Sequence, residues 1–362
     1  MEIAAPDRDD FELTLLGPGY GECALIHFGR GEWIVVDSCV DREGNAAALS
    51  YLKLIGVDAA RSVKTIVVTH WHDDHIRGIT KVISSCHRAD FVCPAAFRQK
   101  EFLAFVAAYA DGAMMLHSGT QEIGKALALV NERRTTARLA SENRLLLRRR
   151  GCELWALSPS DEAIRSALLH LSEQMPRPME SKTAVPAPTP NHLSVALLVQ
   201  LAGTAILLGG DVLRFRADRK RGWLRIADLR REFDHPVSDV VKVPHHGSRG
   251  ADAPEMWDHL LRERPVAALT PFRRGGVSLP EAGDVQRICA RTTEAYITSL
   301  PLHGRPPKRT SAVEKTIEGF LRNRRLQSPP LGRVTLRCSS RERSRWTAQL
   351  AGAACRLHPG IL

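Results

Sequence analysis

The chain has 362 residues, of which 44% are hydrophobic and 25% charged, so it is long enough for one large domain or two and has a globular composition. No apolar run of about 18 residues occurs, which argues against a membrane span, and the acidic first residues argue against a secretory signal. The eight cysteines are scattered without a C-x-x-C pair. We therefore expect reduced thiols in a cytoplasmic protein, rather than a zinc ribbon or a disulfide framework.

The formal net charge of +11 is concentrated near the end of the sequence. Residues 301–362 hold 13 Lys or Arg and 3 Asp or Glu, an excess of ten positive charges. Such a segment is suited to contact phosphates or an acidic protein partner. The simpler interpretation is a solvated surface in an arginine-rich protein.

Apolar runs in the first half of the chain predict strands interrupted by helices. Strands are expected at Phe11–Leu16, Cys23–Phe28, Trp33–Val36, Thr65–Val68 and Leu154–Leu157, with helices at Asn45–Ile55 and Glu162–Leu171. Residues 97–150 show the leucine and alanine periodicity of helices. The proline-rich stretch Gln174–Asn191 lacks apolar periodicity and is expected to be a mobile loop.

The second half of the chain continues this alternation. Strands are expected at Ser194–Leu201, Ala205–Leu208, Asp239–Val243, Val266–Leu269 and Ala295–Thr298, with helices at Glu281–Arg291 and Thr310–Arg322. The first two of these strands form a predicted hairpin, and Arg333–Arg337 with Trp346–Leu350 form another.

The main chemical signal is the sequence His70-Trp71-His72-Asp73-Asp74-His75, directly after the buried strand Thr65–Val68. Imidazole and carboxylate are the ligands that borderline divalent metals prefer. His70 and His72 project to the same side of an extended segment and are suited to one ion. Asp74 and His75 come where the chain turns into a helix and are suited to a second. The alternative, three histidines packed together without a metal, would bring mutual repulsion near neutral pH.

Further candidate ligands follow later strands. Asp211 comes after Gly209-Gly210, where a carboxylate could bridge two ions and glycine permits a close backbone approach. His245 and His246 follow the strand Asp239–Val243, and one of them could complete the shell of the second ion. Next to them, Ser248 and Arg249 could hold a substrate phosphate, although a loop without substrate contact explains them equally well.

The order of these segments resembles the metallo-β-lactamase superfamily, and most closely the metallo-β-lactamase domain of ComEC competence proteins. The matching segments are Gly19-Tyr20-Gly21-Glu22-Cys23, the His70–His75 motif, Asn191-His192-Leu193-Ser194, Leu208-Gly209-Gly210-Asp211 and Val243-Pro244-His245-His246-Gly247-Ser248. The resemblance implies an α/β fold of the αββα sandwich type over residues 1–300, with a helical and loop insertion at about 97–190. Residues 301–362 would add a basic helix and a hairpin packed on the same domain.

The resemblance also implies roles for individual residues. His70 and His72 would hold the first ion, Asp74 and His75 the second, and Asp211 would bridge them, with His245 as the last ligand. His246 would then contact phosphate or donate a proton, and Asp37 would orient the ligand loop. Asn191 to Ser194 occupy the place of a third-motif histidine, with His192 a possible substitute. The cofactors would be two divalent ions, zinc in the first place and manganese as the alternative.

Three functions are compatible with these features. The first is a phosphodiesterase or nuclease acting on nucleic acid or nucleotides, with Asp74, Asp211 and His246 in catalysis. It is also favoured by the eight basic residues around Trp223 in Arg214–Arg231, although an amphipathic helix explains that segment as well. The second is hydrolysis of a lactone, thioester or amide. The third is a partner-binding component of a multi-protein assembly, for example in defence, that uses the basic end of the chain.

Overall fold

Two eight-stranded sheets organise the chain, which a computed structural model describes over residues 4–110, 118–133, 137–173, 190–301, 331–339 and 345–362. In spatial order, the first sheet contains β17 (Trp346–Ala351), β16 (Gly332–Cys338), β1 (Phe11–Gly17), β2 (Cys23–His27), β3 (Trp33–Val36), β4 (Val63–Val67), β5 (Asp90–Pro94) and β6 (Arg138–Ala140). The second contains β18 (Cys355–Arg356), β15 (Ala295–Ile297), β12 (Leu261–Leu269), β11 (Ser238–Lys242), β10 (Thr204–Leu208), β9 (Leu197–Leu201), β8 (Cys152–Ala156) and β7 (Arg144–Arg149). A separate hairpin pairs β13 (Phe272–Arg274) with β14 (Val277–Leu279).

Helices cover the outer face of each sheet. The first sheet is covered by α1 (Ala47–Leu54), α2 (Ala59–Ser62), α3 (Asp73–Ile76), α4 (Ile79–Ser85), α5 (Lys100–Ala110), α6 (Ser118–Glu132) and α7 (Asp161–Glu173). The second is covered by α8 (Gly222–Phe233), α9 (Pro254–His259) and α10 (Ala282–Arg291). A third buried apolar cluster lies between the sheets. The predicted mixed α/β sandwich of two sheets and two helical layers is therefore confirmed.

The central strands are apolar on both faces because both faces are buried. In β4, Ile66 packs toward the helices and Val67 packs toward the second sheet, as expected of a strand without a solvent face. β3, β4 and β5 run parallel, as do β10, β11, β12 and β15. The carboxyl ends of parallel strands meet at one edge of each sheet. That edge carries the polar residues described below.

Within the described residues, the predicted elements agree with the structure except in the range 97–150. There α5 and α6 are helical, but residues 138–140 and 144–149 form the edge strands β6 and β7. Leucine and arginine favour helices locally, yet Leu146 and Leu147 are buried between the sheets, and this tertiary packing overrides propensity. The predicted hairpin of β16 and β17 is confirmed.

Two predicted segments fall largely or wholly outside the described residues: the mobile loop at Gln174–Asn191, of which Pro190 and Asn191 are described, and the helix at Thr310–Arg322. The domain limits therefore stay predictions. All eight cysteines are free thiols, and six of them are buried. In the described ranges, no helix combines the length and the apolar character that crossing a bilayer requires.

Candidate metal centre

The motif segment is anchored at the carboxyl end of β4 by Asp37, which follows the neighbouring strand β3. Asp37 accepts hydrogen bonds from the backbone N–H and the hydroxyl of Thr69, both at 2.7 Å. Its Oδ2 also lies 2.8 Å from Nδ1 of His75. A hydrogen bond on one ring nitrogen directs the other toward a ligand site. Asp37 therefore fixes both the backbone at Thr69, where the motif begins, and the orientation of the His75 ring.

His70, His72 and Asp211 form the first group of converging side chains. Nε2 of His70 lies 3.1 Å from Nδ1 of His72 and 3.7 Å from Oδ2 of Asp211. Two nitrogens bound to one tetrahedral zinc at about 2.0–2.1 Å would lie about 3.3 Å apart, close to this spacing. Burial lowers the pKa of both His70 and His72. This shift favours the neutral ring, the form that binds a metal.

Asp74, His75 and His246 form the second group. Oδ2 of Asp74 lies 3.1 Å from Nε2 of His246 and 3.6 Å from Nε2 of His75. Although burial opposes it, the neighbouring His75 and His246 rings hold the pKa of the Asp74 carboxyl below its ordinary value. The ionised carboxylate is the form that binds a cation.

Asp211 lies between the two groups. Its Oδ2 faces His70, and its Oδ1 lies 3.4 Å from Nε2 of His75. Nε2 of His75 and Oδ1 of Asp211 are buried and lack a hydrogen-bond partner within the described chain. Buried polar atoms without partners are costly, so this pair points to an ion between them. The donor atoms present therefore fit divalent cations, which the two groups would hold with Asp211 between them.

The His245-His246 turn points its two consecutive rings in different directions. Both residues have left-handed backbone angles, with φ of 47° and 55°, and such strain in non-glycine residues is concentrated at functional sites. The turn packs against Gly209, where a Cβ atom would lie 2.9 Å from Cβ of Pro244. The glycine that follows β10 is therefore required for this close approach.

The placement of the two rings differs from the one expected from the resemblance. His246 joins Asp74 and His75, and its Nδ1 lies 3.1 Å from the Thr270 hydroxyl. His245 instead lies on the side of the first group, with Nε2 3.8 Å from Oδ2 of Asp211. The left-handed turn explains the difference, because position nearest the strand end does not decide where each ring points.

Several predicted supporting residues lie around this centre. Nδ2 of Asn191 is 3.2 Å from Nε2 of His245, and the Ser248 hydroxyl is 2.8 Å from Nδ1 of the same ring. The Ser194 hydroxyl accepts the backbone N–H of Asp211 at 2.8 Å. Arg249 is exposed and does not line the cavity above the ligands. The ring of His192 packs on Phe215 and belongs to neither group.

Trp223 is fully buried, and its indole N–H donates to the backbone carbonyl of Val212 at 2.8 Å. It is thus a core residue of the amphipathic helix α8 and is not available to stack on a base. The expectation that Trp223 stacks on a base is therefore wrong, and the alternative of an amphipathic helix is confirmed.

Sequence reasoning missed a buried ion pair beneath the centre. Nζ of Lys242 lies 2.5 Å from Oε1 of Glu22 and 4.0 Å from Oδ1 of Asp211. Burial opposes the charge, but the carboxylates of Glu22 and Asp211 outweigh it and raise the pKa of Lys242. Glu22 also accepts the Thr270 hydroxyl at 2.6 Å, which links it to His246. A lysine inside the apolar run of β11 was the available signal, because a buried lysine requires a partner.

Comparison with known proteins agrees with this picture for part of the chain. Residues 16–101 match the sequence profile of the metallo-beta-lactamase superfamily. A search among curated proteins finds no match.

Several solved structures are similar. A metallo-beta-lactamase mutant from Cronobacter sakazakii is 16% identical, with 63% of this chain and 75% of that one covered and a TM-score of 0.36. The metallo-beta-lactamase fold protein YhfI from Bacillus subtilis is 12% identical, with 79% and 95% covered and a TM-score of 0.40. The di-zinc enzyme LRA-12 from an Alaskan soil metagenome is 14% identical, with 61% and 72% covered and a TM-score of 0.33. The segment that matches the superfamily profile includes the complete His70–His75 motif, so residues 16–101 of this chain are similar to the metallo-beta-lactamase superfamily at these candidate ligands.

Proposed function

We propose that this protein is a metal-dependent phosphodiesterase that acts on nucleotides or nucleic acid. The observation that carries the hydrolase assignment is the Asp211 carboxylate, whose two oxygens face two different groups of ligands. Two divalent ions bound there would supply a Lewis acid and a water of lowered pKa. The phosphodiester substrate is favoured by the ComEC-like motifs around Glu22, Asp211 and His246.

Each ligand then has a definite task. His70, His72 and His245 would hold the first ion with Asp211, and Asp74, His75 and His246 would hold the second with Asp211. His245 thus takes the place of the missing third-motif histidine, since its ring faces the same Asp211 oxygen as His70. Asp37 and Thr270 orient the rings of His75 and His246 from behind. His246 is then a ligand and not the proton donor.

A second function is favoured by the walls of the cavity. Above the ligands, the surface is largely apolar and is formed by Trp71, Phe272, Val277 and Leu279 among others. A lactone or thioester with an apolar acyl group would suit these walls, and the same ligands could activate water against a carbonyl.

The decisive experiment compares substrate classes on purified protein loaded with zinc or manganese. We expect hydrolysis of bis-para-nitrophenyl phosphate and single-stranded DNA, and loss of both activities in His72→Ala and Asp211→Ala. His87→Ala is the matched control, because His87 is exposed and outside both groups. Turnover of nitrocefin or a thioester without phosphodiester cleavage would instead establish the second function.

Binding of a protein partner through the basic end of the chain is a separate proposal. Residues 302–330 and 340–344, which carry most of its charge, lie outside the described residues. Co-purification of a partner that is lost when these arginines are replaced would support it.

A further inference from the structure

The hairpin of β13 and β14 forms one wall of the cavity above the ligand groups. It turns at Gly275-Gly276, both with positive φ, as two-residue hairpin loops require. Phe272 pairs with Leu279, and Arg274 pairs with Val277. Because side chains alternate along a strand, these four share one face, and all four line the cavity. Arg273 and Ser278 occupy the opposite face and do not line it.

The wall continues from the hairpin onto Tyr20, which belongs to the turn after β1. The rings of Tyr20 and Phe272 have centroids 5.6 Å apart. The guanidinium of Arg274 lies over the Tyr20 ring, with Cζ 5.0 Å from its centroid. Arg274 also donates to the Tyr20 hydroxyl, and to Oδ2 of Asp73 at 2.9 Å. These contacts hold the guanidinium in place, and the ring of Phe272 is tilted by 58° from that of Tyr20. Tyr20, Phe272 and Arg274 therefore form a preformed corner of two aromatic rings and a guanidinium.

This surface is accessible and adjoins the ligands. The side chain of Arg274 is 59% exposed, and Val277 is 51% exposed. The ring of Phe272 lies 5.4 Å from that of His246, measured between centroids. The cavity measures about 270 Å³, near the lower end of the ~300–1,000 Å³ of small-molecule sites. It therefore has room for one planar group beside the reacting phosphate.

We propose that Tyr20, Phe272 and Arg274 form a nucleobase subsite that binds the base of the nucleotide attached to the reacting phosphodiester. Aromatic rings and a guanidinium are the groups on which bases stack, without strong preference among bases. A base inside a duplex is covered by its neighbours, so the subsite favours a single strand, a strand end or a free nucleotide. This inference rests on the proposed phosphodiesterase function.

The test compares two substrates that share phosphodiester and leaving group and differ in the nucleoside. They are the para-nitrophenyl ester of thymidine 5′-monophosphate and methyl para-nitrophenyl phosphate. Phe272→Ala and Arg274→Ala should lower kcat/KM for the thymidine ester about tenfold, chiefly through KM. The methyl ester should change by less than about twofold, since it has no base to stack. Ser278→Ala and Arg273→Ala are matched controls on the opposite face of the hairpin.

Calorimetric binding of thymidine 5′-monophosphate and of inorganic phosphate to the metal-loaded protein separates the possible failures. If Phe272→Ala and Arg274→Ala lower kcat/KM equally for both esters, or for neither, the subsite is overturned while the phosphodiesterase function stands. Turnover of neither ester, together with thymidine monophosphate binding that Phe272→Ala weakens, would remove the function and keep the subsite. Neither turnover nor preferential nucleotide binding would remove both.

Discussion

The two sheets contribute to the candidate centre in different ways. The first sheet supplies His70, His72, Asp74 and His75 from one continuous turn after β4, braced by Asp37. The second supplies Asp211, His245 and His246 from the ends of two parallel strands, β10 and β11. The first set comes from one short segment, whereas the second set depends on strand register and on a strained turn. The second set is therefore where changes should be most informative.

Asp211→Ala should have the largest effect, because the two oxygens of Asp211 face both groups. We expect metal content to fall from about two ions per chain to below one, and activity to fall at least about a hundredfold. Asp228→Ala is the control, since Asp228 is a half-buried carboxylate of α8 that pairs with Arg219 and belongs to neither group. Metal analysis of the dialysed protein provides the measurement. Two ions retained at parental affinity would show that the sheets hold metal independently.

His245→Ala and His246→Ala should affect different ions, as their opposite placement implies. Each should weaken one ion by about 10- to 100-fold in chelator competition. Substitutions of residues that share one site have effects that do not add. We therefore expect the loss of metal affinity in His246→Ala to add to the loss in His72→Ala but not to the loss in Asp74→Ala. The loss in His245→Ala should add to that in Asp74→Ala but not to that in His72→Ala. If both substitutions behave alike, the two rings serve the same ion.

The difference between the sheets also explains what sequence predicts here. The His70–His75 motif could be predicted as a metal site from sequence, because its candidate ligands are close in sequence and follow an apolar strand. The position of Asp211 and His246 near this motif could also be predicted, since parallel strands bring their carboxyl ends together. The direction of each ring in the His245-His246 turn could not, because it depends on two left-handed residues and on contact with Gly209.

Other features could not be predicted from sequence, because they form between residues that are distant along the chain. The Glu22–Lys242 pair joins the turn before β2 to strand β11, which are distant in sequence. The wall of Tyr20, Phe272 and Arg274 also combines separate segments. The sequence left the burial of Trp223 open, because its arginine-rich segment fits both a basic surface and an amphipathic helix with the aromatic residue on the inner face.

Lys242→Met should reveal how strongly the second sheet is tied to the first. It leaves Glu22 charged and buried without its partner, which typically costs about 3–5 kcal/mol. Urea unfolding should show this loss, and adding Glu22→Gln should recover much of it. Lys64→Met, which breaks the partly exposed pair with Glu32, should cost at most about 1 kcal/mol. Equal losses for the two lysine substitutions would mean that the buried pair gives no special support.

The smallest expected effect concerns Arg214 and Glu255, which connect the loop after Asp211 to helix α9. Arg214 donates to both carboxylate oxygens of Glu255, at 3.0 and 2.8 Å. This pair lowers the pKa of Glu255 from its model-compound value of 4.5 to about 2. Because the folded value is the lower one, the stabilisation is complete above the unfolded value and is lost as pH falls toward the folded value.

Glu255→Gln should therefore destabilise the protein at pH 7 by less than about 1 kcal/mol, since a partly exposed pair is screened by water. The deficit should shrink as pH falls below 4.5, the unfolded value of the glutamate pKa. Urea unfolding of parent and variant at neutral and at acidic pH measures it. A deficit that stays constant with falling pH would assign the loss to packing rather than charge. The loop after Asp211 and helix α9 would then be held together by van der Waals packing rather than by the ion pair.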